Sequence, residues 1–240
     1  MAESRNVIRS RGATFVVHSA YGARFNKAWF EPSYWGGQAT SVSSGGRGSA
    51  WFIESPDVSG VLRHYLRGGL IARLFRASYV FLGERKVRSF AEFDILSYLH
   101  RTGFPVPRPV AACYRKTSVL FYSASIIVER LNGAYPMADL VCSLSLKDWH
   151  NLGVTLRQFH DAGVMHADLN CFNILVREGW FYLIDFDKGV VKAKSRVDAP
   201  WKQLNLDRLH RSLKRLEWGL ADVTLEQGWS ALYAGYQDSK

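Results

Sequence analysis

The chain is 240 residues long, 48% hydrophobic and 14% aromatic, which excludes a disordered tail, a collagen-like fibre and a disulfide-stapled mini-protein. Its formal net charge is +10, so we expect its surface to attract anionic partners. Because no run approaches the ~18 to 20 apolar residues of a membrane-spanning helix, and residues 1–12 lack the apolar core of a secretory signal, we expect neither feature.

The first half of the chain has the pattern of strands with one strong helix. Alternating or β-branched runs predict strands at 14–18, 51–53, 58–66, 109–115 and 117–128. Apolar residues at helical spacing predict a helix over 87–100. The stretch 29–52 is rich in aromatic residues, glycine and serine, which is typical of a loop with unusual backbone requirements.

The second half has the pattern of helices around one hairpin. Apolar residues recur at helical spacing in 149–159, 206–220 and 225–236. The runs 173–176 and 181–185 predict a hairpin between the first two of these helices. We place a hinge at 131–135, so that residues 1–131 form a small β-rich lobe and residues 132–240 form a larger helical lobe.

The most informative stretch has the order H-x-D-x-x-x-x-N, then a hairpin, then D-F. It consists of His166, Asp168 and Asn173, followed by Asp185 and Phe186. The catalytic loop and metal motif of protein-kinase-like phosphotransferases have this order, and the chain resembles them here. The resemblance implies an α+β, bilobal protein-kinase-like fold, with a small β-rich N-lobe that contains one main helix and a larger, mostly helical C-lobe.

The spacing of these residues suits phosphoryl transfer. Asp168 is the catalytic candidate, because it would orient an acceptor hydroxyl and accept its proton. Asn173 and Asp185 are the metal candidates, because Mg²⁺ prefers hard oxygen donors and bridges the phosphates of ATP. ATP and Mg²⁺ are therefore the predicted cofactors. We expect His166 to hold the loop backbone without taking part in proton transfer.

The predicted small lobe carries weaker signals for nucleotide binding. Gly46 and Gly48 lie in a glycine-rich turn whose amides could cover phosphates, although a flexible linker has the same composition. Kinase-like folds place a lysine on the next strand and pair it with a helix glutamate. Here Arg63 occupies the strand, with Arg67 as the alternative, and Glu92 lies in the middle of the helix. Arginine keeps the positive charge but differs from lysine in reach and geometry.

An apolar strand leads into the predicted hinge. The backbone groups of Glu129 to Leu131 are candidates to hydrogen-bond the edge of the adenine ring. An ordinary buried strand has the same residue types, so this signal supports the others without standing alone.

Longer strings extend the resemblance over residues 29–189, about two thirds of the chain. WFEPSYW, GGRGSAWF, VLRHYLRGGLIARL, FPVPRPVAA, HADLNCFNILV and FYLIDFDKG together look like the bacterial 3-deoxy-D-manno-octulosonic acid (Kdo) kinase family. This resemblance implies an ATP-dependent kinase that phosphorylates the 4-hydroxyl of a Kdo residue on a lipid A precursor, in lipopolysaccharide core biosynthesis. It also implies a peripheral position at the cytoplasmic face of the bacterial inner membrane, with the Kdo-bearing lipid as partner.

The charge distribution fits an anionic membrane surface as a further partner. Residues 63–116 contain eleven Lys and Arg against three Asp and Glu. Basic residues attract anionic lipids at short range. Trp29, Phe30, Tyr34 and Trp35 would add interfacial contact if they were exposed, but we expect at least half of them to pack in the core.

Three alternatives stay open from the sequence. The same fold could phosphorylate a heptose, a small molecule or a protein, although Ala167 in place of the regulatory arginine and the missing A-P-E triplet argue against a regulated protein kinase. Arg63 in place of lysine would also fit a catalytically inactive scaffold that binds nucleotide or lipid. A nucleic-acid-binding module rests on basic composition alone, and no nucleic-acid partner is expected.

Overall fold

The computed structural model of the chain describes residues 5–42, 49–66, 78–192, 199–216 and 223–238. The chain divides into two compact units: Met1–Tyr98 with Pro107–Leu131, and Leu99–Val106 with Asn132–Lys240. The division after Leu131 coincides with the position of the predicted hinge, but residues 99–106 group with the second unit and not with the first, where the sequence placed them. Packing explains this difference, because the ring of Phe104 lies 4.8 Å from that of Phe159.

The first unit is built on an eight-stranded antiparallel sheet. Its strands are β1 (Asn6–Ser10), β2 (Ala13–Val17), β3 (Ala39–Ser41), β4 (Ala50–Glu54), β5 (Ser59–His64), β6 (Tyr79–Val80), β7 (Pro109–Lys116) and β8 (Phe121–Glu129). They are ordered β1-β2-β7-β8-β5-β4-β3, and β6 pairs with β8 outside this path. The helices α1 (Pro32–Trp35) and α2 (Arg88–Arg101) accompany the sheet. Because β7 lies between two other strands, most of its residues are buried, which explains its continuous apolar run.

Some strands of this sheet were not predicted from the sequence, or were predicted too long. β1 was not predicted, because it is largely exposed at the edge of the sheet and has no strong apolar pattern. The predicted strand over 117–128 is too long at its start, since β8 begins only at Phe121. The backbone N–H groups of Thr117 and Ser118 both donate to the carbonyl of Phe121, which makes residues 117–120 a turn.

The aromatic stretch before β3 belongs to the core of the first unit. Trp29, Phe30 and Trp35 are buried, and the indole N–H of Trp35 donates to the carbonyl of Trp29 at 2.9 Å. The expectation that at least half of the four aromatic residues pack in the core is therefore confirmed, and these three residues are not available for interfacial contact. Tyr34 is 49% exposed and is the one member of the four whose ring reaches the surface.

Within its described residues, the second unit combines four α-helices with short strands. The helices are α3 (Met137–Leu140), α4 (Leu146–Asp161), α5 (Pro200–Leu213) and α6 (Leu225–Asp238). The strands are β9 (Tyr135–Pro136), β10 (Val164–Met165), β11 (Ile174–Arg177), β12 (Trp180–Leu183) and β13 (Val190–Val191). The strand order is β12-β11-β9 in one sheet, and β10 pairs with β13 in another. Within the described ranges no helix has both the length and the apolarity needed to cross a bilayer.

Helix α4 is the centre of the second unit. It begins with a capping box, in which the Ser145 hydroxyl accepts from the Asp148 N–H and the Asp148 carboxylate accepts from the Ser145 N–H. The apolar residues that predicted this helix are all buried: Trp149, Leu152, Leu156 and Phe159. Helix α6 packs closely along α4, with Gly153 opposite the backbone of α6.

The leucine pattern of 206–220 predicts too long a helix. Leu206, Leu209 and Leu213 are buried on one face of α5, but the helix ends at Leu213 and Leu216 follows it in a turn. Residues 217–222 lie outside the described ranges.

Candidate active site

The segment between β10 and β11 forms the predicted catalytic loop. His166, which is 2% exposed, accepts from the backbone N–H of Asp168 at Nδ1 (3.2 Å), so its Nε2 donates to the carbonyl of Ile184 (2.9 Å). Burial lowers the pKa of His166 below its ordinary value, which favours this neutral form. The histidine thus joins the loop to the end of β12.

Asn205 on α5 holds the same loop from the other side. Its side-chain oxygen accepts from the N–H of His166 at 3.1 Å, and its amide nitrogen donates to the carbonyl of His166 at 2.9 Å. Asn205 is 6% exposed, so both bonds are made away from water. Asn205 was not predicted as a functional residue, although positions 205 and 209 have the helical spacing of one buried face, and a polar residue there was the available signal.

Two asparagines close the loop around the carbonyl of Asp168. The side-chain amides of Asn170 and Asn173 donate to this carbonyl at 3.1 and 2.9 Å. The Asn170 side-chain oxygen in turn accepts from the N–H groups of Phe172 and Asn173. The backbone that carries Asp168 is therefore fixed by hydrogen bonds from within its own loop.

The carboxylate of Asp168 stands at the surface of the second unit. It is 60% exposed, and its Oδ1 lies 3.0 Å from Nη1 of Arg208 on α5. An exposed carboxylate beside a held backbone can meet an acceptor hydroxyl. Arg208 was not predicted as a functional residue, because it lies 40 residues after Asp168 in a helix of mixed composition.

Asn173 and Asp185 are brought together by the backbone. The N–H of Ile184 donates to the carbonyl of Asn173 at 3.0 Å, so the residue after Ile184 lies beside the end of the loop. Asp185 has a φ of +62°, a left-handed conformation that is uncommon for a residue other than glycine. Phe186, fully buried against His166 with 4.8 Å between ring centroids, anchors this turn.

The chemistry of this pair suits a hard cation. The amide nitrogen of Asn173 is engaged by the Asp168 carbonyl, which directs its side-chain oxygen elsewhere. Amide and carboxylate oxygens are the donors that Mg²⁺ accepts. The residues present thus fit the predicted metal, and their assignment as ligands stays a prediction.

In the first unit, Arg63 and Glu92 form an ion pair between β5 and α2. Nη2 of Arg63 lies 2.5 Å from Oε2 of Glu92, whose carboxylate is 3% exposed. The hydroxyl of Tyr65 donates to the same oxygen, and the Arg63 guanidinium lies 5.0 Å from the Tyr65 ring centroid. Arg63 itself is 23% exposed. The pair has the strand-to-helix placement that the sequence predicts, while its contact with phosphate stays a prediction.

The backbone at the predicted hinge is partly committed to the sheet. The N–H of Glu129 donates to the carbonyl of Arg108 at 2.8 Å, and the N–H of Arg130 donates to the carbonyl of Ser59 at 3.1 Å. These two donors thus have backbone partners within the first unit, and the binding of adenine by this segment stays a prediction. The prediction for this segment now rests on its carbonyl oxygens and on the N–H of Leu131.

The Glu129 side chain is also engaged. It accepts from the Tyr21 hydroxyl at 2.5 Å and lies 3.3 Å from Nη1 of Arg108. Burial and the hydrogen bond to Glu129 raise the pKa of Tyr21 to about 12, so the phenol stays a donor. The remaining nucleotide candidates, Gly46 and Gly48 and the alternative Arg67, lie outside the described residues.

Comparison with known proteins identifies the family. The family model of the lipopolysaccharide kinase (Kdo/WaaP) family matches residues 32–236. The chain belongs to this family. It is 42% identical over 210 residues to a 3-deoxy-D-manno-octulosonic acid kinase of Stenotrophomonas maltophilia (strain K279a), a match that covers 86% of this chain and 82% of the relative.

Other relatives in this family agree. A 3-deoxy-D-manno-octulosonic acid kinase of Stenotrophomonas maltophilia (strain R551-3) is 45% identical over 190 residues, covering 78% of this chain and 74% of that protein. The one from Xanthomonas euvesicatoria pv. vesicatoria (strain 85-10) is 40% identical over 210 residues, with 87% and 83% covered. The predicted family is thus confirmed, and the chain is a phosphotransferase rather than an inactive scaffold.

A solved structure supports the fold. WaaP in complex with acyl carrier protein superposes with a TM-score of 0.55 at 16% sequence identity, covering 94% of this chain and 89% of that chain. The kinase-like α+β fold with an antiparallel sheet is therefore confirmed, while the bilobal arrangement stays a prediction.

Proposed function

We propose that the protein transfers the γ-phosphoryl group of ATP to the 4-hydroxyl of a Kdo residue on a lipid A precursor. The observation that supports this proposal is the catalytic loop of this Kdo/WaaP family member. In this loop, hydrogen bonds fix the Asp168 backbone and leave the Asp168 carboxylate exposed. The choice of Kdo as the acceptor is based on the relatives, which are named 3-deoxy-D-manno-octulosonic acid kinases. The 4-hydroxyl comes from the family resemblance.

In this mechanism Asp168 orients the sugar hydroxyl and accepts its proton as the phosphoryl group is transferred. His166 and Asn205 keep the loop in place, so that little rearrangement is needed when the acceptor arrives. Asn173 and Asp185 would hold Mg²⁺, which neutralises the charge of the β- and γ-phosphates when bound.

Residues of the first unit would bind the nucleotide. Arg63, held by Glu92, neutralises the phosphates with a guanidinium that can contact two oxygens at once. Gly46 and Gly48 would cover the phosphates with backbone amides, and Leu131 would donate to the adenine edge.

The proposed acceptor is a membrane lipid, so we place the enzyme peripherally at the cytoplasmic face of the inner membrane. The excess of basic residues over 63–116 supports this placement, because cationic segments are attracted to anionic headgroups within about 8 Å, the Debye length at physiological salt.

The test is phosphorylation of a defined lipid. Purified protein is incubated with Mg-ATP and Kdo-lipid A, and the product is analysed by mass spectrometry for one added phosphate and by two-dimensional ¹H–³¹P NMR for its position. We expect one phosphate at the 4-hydroxyl. Asp168→Asn should lower turnover about 10²- to 10⁴-fold, because it removes the proton acceptor but keeps the shape.

Asp139→Asn is the matched control, since Asp139 is an exposed carboxylate of the same unit outside the loop. It should leave turnover unchanged. Preferred phosphorylation of a heptosyl lipid, or attachment at another hydroxyl of Kdo, would contradict the proposed acceptor.

A further inference from the structure

Arg208 places a cation directly beside the proposed catalytic carboxylate. Its Nη1 lies 3.0 Å from Oδ1 of Asp168. Its neighbours Asn205 and Leu209 are buried, so the segment of α5 that carries Arg208 is fixed against the rest of the second unit. The fold therefore places the backbone of Arg208 beside the loop, and from there its guanidinium reaches the Asp168 carboxylate.

Stability does not explain this contact. Arg208 and Asp168 are 48% and 60% exposed, and ion pairs of such exposure contribute little to folding because solvent screens them. A guanidinium carries five N–H donors in a planar fork that matches carboxylate geometry. Within the part of the chain that the structure describes, the hydrogen bond to Asp168 uses one of them.

The proposed acceptor carries the anion that such a fork recognises. An octulosonic acid has a carboxylate on the same sugar whose hydroxyl would meet Asp168. We propose that Arg208 binds the carboxylate of the acceptor sugar and so selects an acidic sugar over a neutral one. This inference rests on the proposed function, and Arg208 would act as a specificity residue beside Asp168.

The experiment compares Kdo-lipid A with an analogue in which the Kdo carboxylate is converted to the carboxamide. The wild-type enzyme should prefer the acid about 10- to 100-fold in kcat/KM, the range expected for hydrogen bonds to a charged group. Arg208→Gln should lose this preference through a higher KM for the acid, so that its kcat/KM for the acid falls to about its own value for the amide. Arg211→Gln, a change of an exposed arginine on the same helix, should keep the preference.

Two results would overturn the inference. If the wild-type enzyme used the acid and the amide equally well, no contact with the carboxylate would contribute to selection, and the inference would be wrong. If Arg208→Gln slows both substrates equally, Arg208 either positions Asp168 or binds ATP, and the KM for ATP distinguishes these two roles.

A measurement of sugar binding tests this inference independently of the proposed reaction. The affinities of free Kdo and of its amide are measured calorimetrically with the wild type and with Arg208→Gln. If an enzyme that does not phosphorylate Kdo still binds the acid in an Arg208-dependent way, the inference stands and the proposed reaction fails. If no Arg208-dependent binding is found, the inference fails as well.

A second, independent feature is an exposed apolar edge of the first unit. It consists of the β7–β8 turn, the end of β6 and the residues that follow β6. The Phe81 N–H joins these segments by donating to the Leu120 carbonyl at 2.8 Å. Four apolar side chains of this edge point to solvent: Val80 (48% exposed), Leu82 (67%), Val119 (87%) and Leu120 (62%). We call these four residues the apolar edge.

Basic residues predominate in the segments that carry the apolar edge. The segments 78–88 and 114–122 contain five basic residues and one acidic residue, Glu84. Arg9 pairs with Glu84 at 3.0 Å, and the Lys116 ammonium lies 4.5 Å from the ring centroid of Phe81. Apolar tips within a basic surround match an anionic bilayer, since the tips enter the interface while the cations meet headgroups. We infer that the apolar edge docks the enzyme on the anionic membrane that carries its acceptor.

Vesicles without any Kdo lipid test this docking independently of the kinase reaction. Cosedimentation is measured with vesicles of phosphatidylethanolamine and phosphatidylglycerol (3:1). Replacing both Val119 and Leu120 by serine should lower the partition coefficient about tenfold or more. Leu204→Ser is the matched control, because Leu204 on α5 is 61% exposed, and it should bind as the wild type does.

An environment-sensitive dye locates the contact. Cys142 is exposed and is first replaced by serine, which leaves the buried Cys113 and Cys171, and one exposed cysteine is then introduced at position 119 or 204 for labelling. The dye should shift to the blue on vesicles only when it is at position 119. Equal binding of the serine variants, or a shift at position 204 alone, would exclude the apolar edge as the docking site.

Discussion

Replacing Asn205 by alanine tests how the catalytic loop is held. The Asn205 side chain makes two hydrogen bonds to the backbone of His166, at 3.1 and 2.9 Å, and is 6% exposed. Truncation leaves one N–H and one carbonyl without these partners. Since a buried group that loses its hydrogen bond costs about 1 to 3 kcal/mol, Asn205→Ala should lower the free energy of unfolding by about 2 to 5 kcal/mol.

The same change should slow phosphoryl transfer. His166 precedes Asp168 by two residues, so a shift of the loop at His166 would misplace the Asp168 carboxylate, which is the proposed proton acceptor. Misplacement of about 1 Å can lower the rate about 100-fold, and we expect a fall in kcat of about 10- to 100-fold in the variant that remains folded.

The assay is urea denaturation followed by tryptophan fluorescence, combined with steady-state kinetics. Gln203→Ala is the control, because Gln203 lies on the same helix and its amide makes an exposed hydrogen bond to Asp207. It should change the stability by less than about 0.5 kcal/mol. If Asn205→Ala matched Gln203→Ala in both stability and kcat, the loop would not depend on Asn205.

Asn205→Asp adds a test of polarity. The ionised carboxylate keeps an acceptor for the His166 N–H but faces the His166 carbonyl with a second acceptor. Folding should therefore raise the pKa of the introduced carboxyl. As the pH falls, the carboxyl group is protonated and becomes a donor, so the free energy of unfolding of the variant should approach that of the wild type measured at the same pH. As the pH rises and the carboxyl group ionises, the variant should become less stable than the wild type.

Three further changes test packing, titration and the phosphate-side arginine. Gly153→Ala should lower the free energy of unfolding by about 1 to 3 kcal/mol, because the added methyl group would overlap the backbone of α6. Gly37→Ala is the control, because Gly37 has open space around it, and it should not lower the stability. Thermal denaturation compares the two variants. Burial lowers the pKa of His160 from 6.5 to about 4, so the unfolded chain takes up the proton first as the pH falls. Stability is then lost from about pH 6.5 down to about pH 4, and His160→Gln should flatten this part of the urea-midpoint profile. Arg63→Lys keeps the charge but not the fork, and should raise the KM for ATP about 3- to 10-fold in initial-rate measurements.

Much of the local structure could be predicted from the sequence. The spacing of Trp149, Leu152, Leu156 and Phe159 follows the period of one helix face, and all four are buried on α4. The predicted helix that contains Glu92 and the hairpin before Asp185 are likewise present as α2 and as β11 with β12. These features depend on backbone periodicity, which neighbouring residues specify by themselves.

Edges and ends of elements were less predictable. The turn at 117–120 consists of residue types that also occur in strands, and the hydrogen bonds to Phe121 decide between the two. The leucine pattern continues past Leu213, where α5 ends. Local pattern does not determine where an element ends, because the last hydrogen bonds depend on what surrounds them.

The order of His166, Asp168, Asn173 and Asp185 along the chain was sufficient to indicate phosphoryl transfer, because chemistry of this kind requires particular side chains at particular intervals. The longer strings over residues 29–189 indicated the family. Only the tertiary structure brought α5 to the loop, with Asn205 on the backbone of His166 and Arg208 on the Asp168 carboxylate. These contacts join residues about 40 positions apart, and their existence depends on which helix faces pack together rather than on any local pattern.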